Sequence, residues 1–418
     1  MTGHAPLEDR VRRRAVFHIP GFDPVAPRSY RERYRREAAR QAELSGHRIR
    51  VSAAETPGAY GWDVQARIEG ADAVAHIELL HWADIVRASM GGGVLATYGQ
   101  LLRTAWAYAG SGALFRLMRL RKGPLIAALY PVVMLLLQLF AAALAGIGLI
   151  LVLTRASGAL GVTGPAGLGV AVATGLAAAA LIVRFFRGRD PFLAWYVMHD
   201  YAFTASLNGA YPPVQEARMS AFAERIAAAL VSDVVEVLVV GHSSGAHIAI
   251  SVLADLIRDG RVPEGRPALS LLTLGQVVPM VSFLPGAARL RGDLAVLSRS
   301  DRLAWVDVTA PGDGCCFALC DPVAVSGMAG PDKRWPLVLS AAFSKTLSAE
   351  ARAALRWRFF ERHFQYLNAF DRLPDDPGAY DYFAVTAGPR TLAARFAARR
   401  PSASRIERAV NPHAERAA

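Results

Sequence analysis

Charge is scarce in this chain: charged residues make up 20% of the 418 positions against 53% hydrophobic ones, too apolar a balance for an ordinary soluble domain. The scarcity is local. From Leu125 to Leu153 ("LIAALYPVVMLLLQLFAAALAGIGLILVL") no charged residue occurs, a run of roughly 29 residues where ~20 suffice to cross a bilayer. A second uncharged run, "GVTGPAGLGVAVATGLAAAALIV", ends at Val183, and its Gly and Ala suit close helix packing in lipid. Core helices rarely run so long without a charge, so both runs read as membrane spans. The opening residues, "MTGHAPLEDRVRRRAVF", have no apolar stretch, and both spans lie far from them, so neither reads as a signal peptide.

Cysteine is equally sparse. The three thiols, Cys315, Cys316 and Cys320, crowd into "GCCFALC". No Cys or His pair stands nearby to complete a zinc site, and no other metal or cofactor is expected. An odd, clustered count argues against a disulfide framework and fits a reducing cytoplasm. Internal repeats and nucleic-acid motifs are missing as well. The net charge of +12 comes without interleaved aromatic and basic residues, so it fits attraction to anionic lipid head groups rather than nucleic acid.

The basic residues that are present orient the spans. Arg116, Arg119, Arg121 and Lys122 precede the first, Arg184, Arg187 and Arg189 follow the second, and Arg155 is alone in the connecting "TRASGALGVTGP". The excess of positive charge predicts a hairpin that enters and leaves from the cytoplasmic side, with both termini and the soluble part in the cytoplasm.

Outside the hairpin, strand and helix signals alternate. "RAVFHIP" (14–20) reads as a short buried strand, and "SYRERYRREAARQAELSG" as a charged helix stopped by Gly46. "RIRVSAAE", "WDVQARIE" and "AVAHIELL" read as extended segments. About forty helical residues follow Trp82 and lead to the first span. Beyond the hairpin come the helix "MSAFAERIAAALVS", the strands "VVEVLVV", "ALSLLTLGQ" and "RLAWVDVTAP", and a helix from about Arg356 to Phe370. This alternation predicts an α/β fold with a mostly parallel sheet covered by helices on both faces.

The strongest chemical signal is Gly241-His242-Ser243-Ser244-Gly245, a Gly-x-Ser-x-Gly pattern between an apolar strand and an Ala/Ile/Leu helix. A serine on such a turn projects its hydroxyl clear of the sheet, and flanking glycines permit close approach of the backbone. Free N–H groups at the start of the helix favour a developing oxyanion.

On "VLVVGHSSGAHIAI" and "AVFHIPGFDP" the chain resembles the α/β-hydrolases. The resemblance covers roughly residues 10–85 and 195–390. It implies that the backbone N–H of Phe22, or of a close neighbour, joins that of Ser244 in an oxyanion hole. The usual adjacent His-Gly of that loop is spread here into His18-Ile19-Pro20-Gly21. The family order of nucleophile, acid, histidine leaves His247, His363 and His413 as bases. His247 sits one turn into the nucleophile's own helix and His413 in the tail, so His363 is the expected base. His18 and His242 precede the serine; His242 is expected to pack behind the turn or line the pocket. The acid is expected just past a strand, and "LAWVDVTAPGDGCCFALCDPV" offers three. Asp307 lies within the strand, Asp313 follows the Pro311-Gly312 turn where the family's acid usually falls, and Asp321 is the alternative. Asp200 and Tyr201, just past the second span, are left unassigned.

The organisation expected is an α/β-hydrolase-like domain in two parts, 10–122 and 187–392, interrupted by a hairpin at 123–186 and followed by a basic, disordered tail at 393–418. The function expected is a membrane-anchored serine hydrolase acting on a small-molecule or lipid ester. An acyltransferase on the same scaffold and a non-catalytic membrane adaptor are the competing readings. Substrate identity and oligomeric state have no signature.

Overall fold

The computed structural model describes residues 10–54, 58–161, 164–373, 376 and 378–413. In chain order its elements are β1 (Arg13–Ile19), α1 (Pro27–Ser45), β2 (Arg48–Ala54), β3 (Tyr60–Ile68), β4 (Ala71–Leu79), α2 (Ala83–Ser89), α3 (Val94–Gly110) and α4 (Ala113–Leu117). The long helices α5 (Lys122–Ala159) and α6 (Pro165–Arg189) follow, then α7 (Ala194–Ala205) and α8 (Pro213–Leu230). The second half holds β5 (Glu236–His242), α9 (Gly245–Arg258), β6 (Ala268–Leu274), α10 (Val278–Ser282), α11 (Ala288–Arg299), β7 (Leu303–Thr309), α12 (Pro322–Val325) and β8 (Leu337–Ser340). Short helices close the chain: α13 (Phe343–Thr346), α14 (Ala349–Ala354), α15 (Phe359–His363), a 3₁₀ turn (Phe364–Leu367), α16 (Tyr382–Ala387) and α17 (Leu392–Phe396).

The eight strands form one sheet in the order β2-β3-β4-β1-β5-β6-β7-β8. β1 lies between β4 and β5, parallel to both, and β5 to β8 continue in parallel. The β2-β3-β4 end is antiparallel, because those strands follow one another through short turns. Side chains alternate between two cores. Ala15, Phe17 and Ile19 of β1 face one core with α8, α9 and α11, while Val16 faces the other with α1, α16 and α17. The protein is thus an α/β protein with a mostly parallel sheet between helical layers. β8 is too short, at four residues, to announce itself by alternation.

Helices α5 and α6 are each long and apolar enough to cross a membrane. Their most apolar windows are only 22% and 17% buried within the protein, whereas a core helix would be mostly covered. The two pack at Gly146 and Gly175: a Cβ on Gly146 would come within 2.7 Å of the Gly175 carbonyl oxygen. At their base, Leu135, Ala142 and Val183 pack with Leu101 of α3 and with Trp195, Met198 and Ala202 of α7. The Trp195 indole donates to Gln138 Oε1 at 3.0 Å.

Two segments differ from expectation. The stretch from 356 to 370 is not one helix but α15 and a 3₁₀ turn, because backbone groups there bond side chains of other elements: His363 O accepts from His242, Tyr366 O from Tyr380, and the Phe370 amide donates to Gln41. The tail, expected to be disordered from 393, carries the end of α17 and packs down to His413. Leu392 and Phe396 are buried, Ile406 exchanges backbone hydrogen bonds with Leu319 and Asp321, and the Asn411 amide donates to Ser282 O at 2.9 Å. Residues 414–418 lie outside the described residues.

Candidate active site

β5 is buried throughout, and the chain leaves it on a turn only a few residues long. Ser243 has φ 56°, a left-handed conformation that costs a non-glycine residue of order 1–3 kcal/mol and persists only where the surroundings impose it. The flanking glycines impose it here. A Cβ on Gly245 would sit 2.1 Å from Ile19 O, and one on Gly241 would sit 2.7 Å from Ala246 Cα. The end of β1 and the start of α9 therefore press directly on the turn. The Ser243 amide donates to Leu274 O at 2.9 Å, tying the turn to β6 and leaving the side chain half-buried rather than enclosed.

The loop after β1 abuts the serine. A Cβ on Gly21 would meet Ser243 Cβ at 2.9 Å. Trp82 Nε1 donates to Pro20 O at 3.0 Å, and the Tyr196 hydroxyl donates to Phe22 O. The Phe22 ring lies against Trp82, Tyr196 and Phe203, with centroids 5.8, 6.1 and 5.9 Å away. Held this way, the amides of Phe22 and Ser244 find no acceptor among the described residues. The loop and the turn thus present two free donors at one corner.

His363 ends α15 and is buried. Its ring lies over Gly275, where a Cβ would come within 3.0 Å of His363 Cε1; Gly275 follows Leu274, the acceptor of the Ser243 amide. Nδ1 of His363 is 2.7 Å from Asp313 Oδ2, and Nε2 is buried with no hydrogen-bond partner among the described residues. The other face of the ring is supported by His242, whose ring is 4.8 Å away and whose Nε2 donates to His363 O at 3.0 Å. Burial, with the neighbouring His363, pushes His242 well below the usual histidine range, so it serves as a neutral donor.

Asp313 lies past β7 on the "PGDG" turn. Its Oδ1 accepts from the Cys315 amide at 2.9 Å and its Oδ2 also accepts from the Tyr366 hydroxyl at 3.0 Å. Tyr366 in turn accepts from the Ala310 amide. Burial by itself would raise the Asp313 carboxyl, but His363 and the Cys315 amide outweigh it and hold the group below its ordinary value. The other two acids are engaged elsewhere. Asp307 accepts from Thr273 at 2.6 Å inside the sheet, and burial raises it to about 8. Asp321 caps α12 through the amides of Val323 and Ala324 and pairs with Lys333 Nζ at 2.7 Å.

Ser243, His363, Asp313, Phe22 and Ser244 therefore meet at one end of the sheet, and Asp321 does not join them. His247 instead stacks on Tyr211 and shares its hydroxyl. Residues with weaker sequence signals complete the corner: Tyr366 and His242 brace the acid and the base, and Tyr196 braces the β1 loop. Asp200 of α7 stands beside Ser244 and His363; burial raises its carboxyl to about 7, with His363 and Ser244 drawing it back. Tyr366 stands three residues past His363, a spacing that a helical reading could have used.

Ligand atoms of Asp313, Cys315 and His363 lie within 4.8 Å of one another, close enough to share a soft cation. Burial and the Asp313 charge raise the Cys315 thiol and keep it protonated, and the His363–Asp313 hydrogen bond uses the same atoms. The corner also touches the long helices. A Cβ on Gly123 would lie 3.1 Å from Gly314 Cα, and Arg121 Nε donates to Ala318 O at 2.8 Å.

No family model, no curated protein and no solved structure matches the chain. What places it in a class is its own architecture: an α/β protein with a mostly parallel sheet and two helices long and apolar enough to cross a membrane.

Proposed function

We propose that the chain is a membrane-anchored serine hydrolase of the α/β-hydrolase type that cleaves an ester through an acyl-enzyme. One observation carries the reading: a half-buried serine on a strained strand-to-helix turn shares a corner with a histidine whose Nδ1 is held by a buried carboxylate and whose Nε2 is unpartnered. An idle buried imidazole nitrogen is costly unless it has work to do, and catalytic hydrogen bonds commonly close only when substrate arrives.

In this reading His363 Nε2 takes the Ser243 proton as Oγ attacks the ester carbon. The amides of Phe22 and Ser244 hold the oxyanion that forms. The ester C–O bond then breaks, the alcohol leaves with the proton from His363, and Ser243 carries the acyl group. Water, activated by His363 in the same way, releases the acid and restores the serine. Asp313 keeps Nδ1 protonated and stabilises the imidazolium. Helices α5 and α6 are the anchor, and the arginines at their base put the catalytic part on the cytoplasmic side.

A fluorophosphonate probe tests the reading directly. Wild-type protein is expected to label at Ser243, with no labelling of Ser243→Ala and a large loss in His363→Ala. Folded wild-type protein that stays unlabelled overturns it. Protease added to inverted vesicles is expected to digest the catalytic part; full protection reverses the orientation.

A further inference from the structure

Against the oxyanion side of the corner lies a narrow recess that the reaction above leaves unused. Helix α7, the turn after it and the start of α8 close it over Ser244 and His247, with Asp200, Thr204 and Gln215 among its polar lining residues. Trp82, Phe203 and Val281 supply apolar wall.

Asp200 is drawn to the Ser244 hydroxyl and His247 shares the Tyr211 hydroxyl, but one polar group in this recess is left over. Gln215 is only 3% exposed, yet its Nε2 finds no acceptor among the described residues. A buried donor left idle is destabilising unless something else fills its place. His247 is kept neutral by burial, and among the described residues no Lys or Arg lines the space. A phosphate or carboxylate would therefore meet no countercharge and would face Asp200. An ammonium would suit Asp200 but would leave the Gln215 donor opposed by another donor. A hydroxyl satisfies both, because it accepts one hydrogen bond and donates another. The recess is too narrow for an acyl chain and has room for one small substituent.

We propose that this recess binds a free hydroxyl of the substrate, with Gln215 donating to it and Asp200 accepting from it, so that the preferred substrates are uncharged esters of polyols such as a glycerol or a sugar. The proposal rests on Ser243 as the nucleophile, since Ser244, the residue next to it, lines the recess. Placement of the hydroxyl there sets which ester carbonyl of a partly acylated polyol reaches Ser243. Sites built to hydrogen-bond a substrate hydroxyl discriminate strongly against analogues without it, because the protein groups are then left unpaired.

The test measures binding, so that it does not depend on turnover. Full-length Ser243→Ala protein in detergent is titrated calorimetrically with glycerol monobutyrate, with propyl butyrate, which lacks the hydroxyls, and with butyrylcholine, which carries a cation. Glycerol monobutyrate is expected to bind about 10-fold or more tighter than either. Adding Gln215→Leu, or the isosteric Gln215→Glu should the first fail to fold, is expected to abolish that margin while leaving propyl butyrate unchanged. Equal affinities, a preference for butyrylcholine, or an equal loss for all three esters would overturn the proposal. Fluorophosphonate labelling of wild-type protein separates the two readings. Labelling without a hydroxyl preference overturns the recess alone; a hydroxyl preference without labelling overturns the nucleophile and leaves a binding site.

Discussion

Helix α9 and helix α5 are both mainly apolar, and they meet opposite surroundings. Of the 14 residues of α9, 11 are buried; of the 38 of α5, six are. The difference lies in length and in cover. Helix α9 is as long as the sheet it crosses, so α8, α11 and the strands enclose it. Helix α5 runs about 57 Å at 1.5 Å per residue, well beyond the α/β core, and only α6 accompanies its outer part. Apolar composition thus reports the solvent a helix is suited to, whether protein or lipid, and its length decides between them. A seam joins the start of α5 to the loop of the candidate site, where Gly123 meets Gly314 beside Asp313.

Changes at that seam should separate catalysis from folding most sharply. Asp313→Asn is expected to lower ester turnover by roughly 10⁴-fold, the cost of losing the correct His tautomer, with the protein still folded. Asp321→Asn is expected to do the reverse, loosening the cap of α12 and the Lys333 pair at a cost of about 1 kcal/mol with turnover retained. Equal activity losses in both variants would erase the distinction between the two acids.

Truncations within the two helices probe their cover. Leu253 of α9 is wholly buried, and Leu253→Ala is expected to destabilise by about 2–5 kcal/mol in denaturant titrations. Leu144 of α5 is 54% exposed, and Leu144→Ala in detergent is expected to stay within about 0.5 kcal/mol. A large cost at Leu144 would mean that the outer part of α5 is covered by protein.

The smallest effect concerns pH. The Asp200 carboxyl is raised from 3.8 to about 7, so between those values the unfolded chain releases a proton that the folded chain keeps. Stability contributed by the protonated group is therefore complete below 3.8 and lost as pH climbs to about 7. Asp313 has the opposite sign: its carboxyl is depressed, so its contribution is present above its ordinary value of 3.8 and is lost as pH falls. Melting temperatures at pH 5 and pH 8 should show Asp200→Asn losing part of the decline seen in wild type. An unchanged decline would remove Asp200 from the proton balance.

Much of this molecule was legible because the signals are local. The Ser243 turn needs only an apolar strand, two glycines and an apolar helix in succession, and all lie within 241–256 and the strand before it. The two long helices were legible for the same reason, since an uncharged run is a property of neighbouring residues. The antiparallel β2-β3-β4 edge was less so: the strands themselves showed as extended segments, but their partners did not. The packed tail was missed because its few anchors, Leu392, Phe396 and Asn411, are separated by arginines and find partners far back in the chain.

By itself the sequence determined the α/β class, the turn at Ser243, the apolar helices and the short set of histidines and acids from which a site could be drawn. Only the tertiary structure decided which of them meet. Asp307, Asp313 and Asp321 look alike within one stretch of chain, yet only Asp313 reaches His363, because β7 ends where the sheet brings 313 beside β6 and the turn after β5. Asp200 stood out only by its place just past the second span, and it came to the corner because α7 folds back from the base of α6 across Ser244. Spacing along the chain carries the local conformations, whereas partnership between distant side chains depends on how the sheet is ordered and what packs across it.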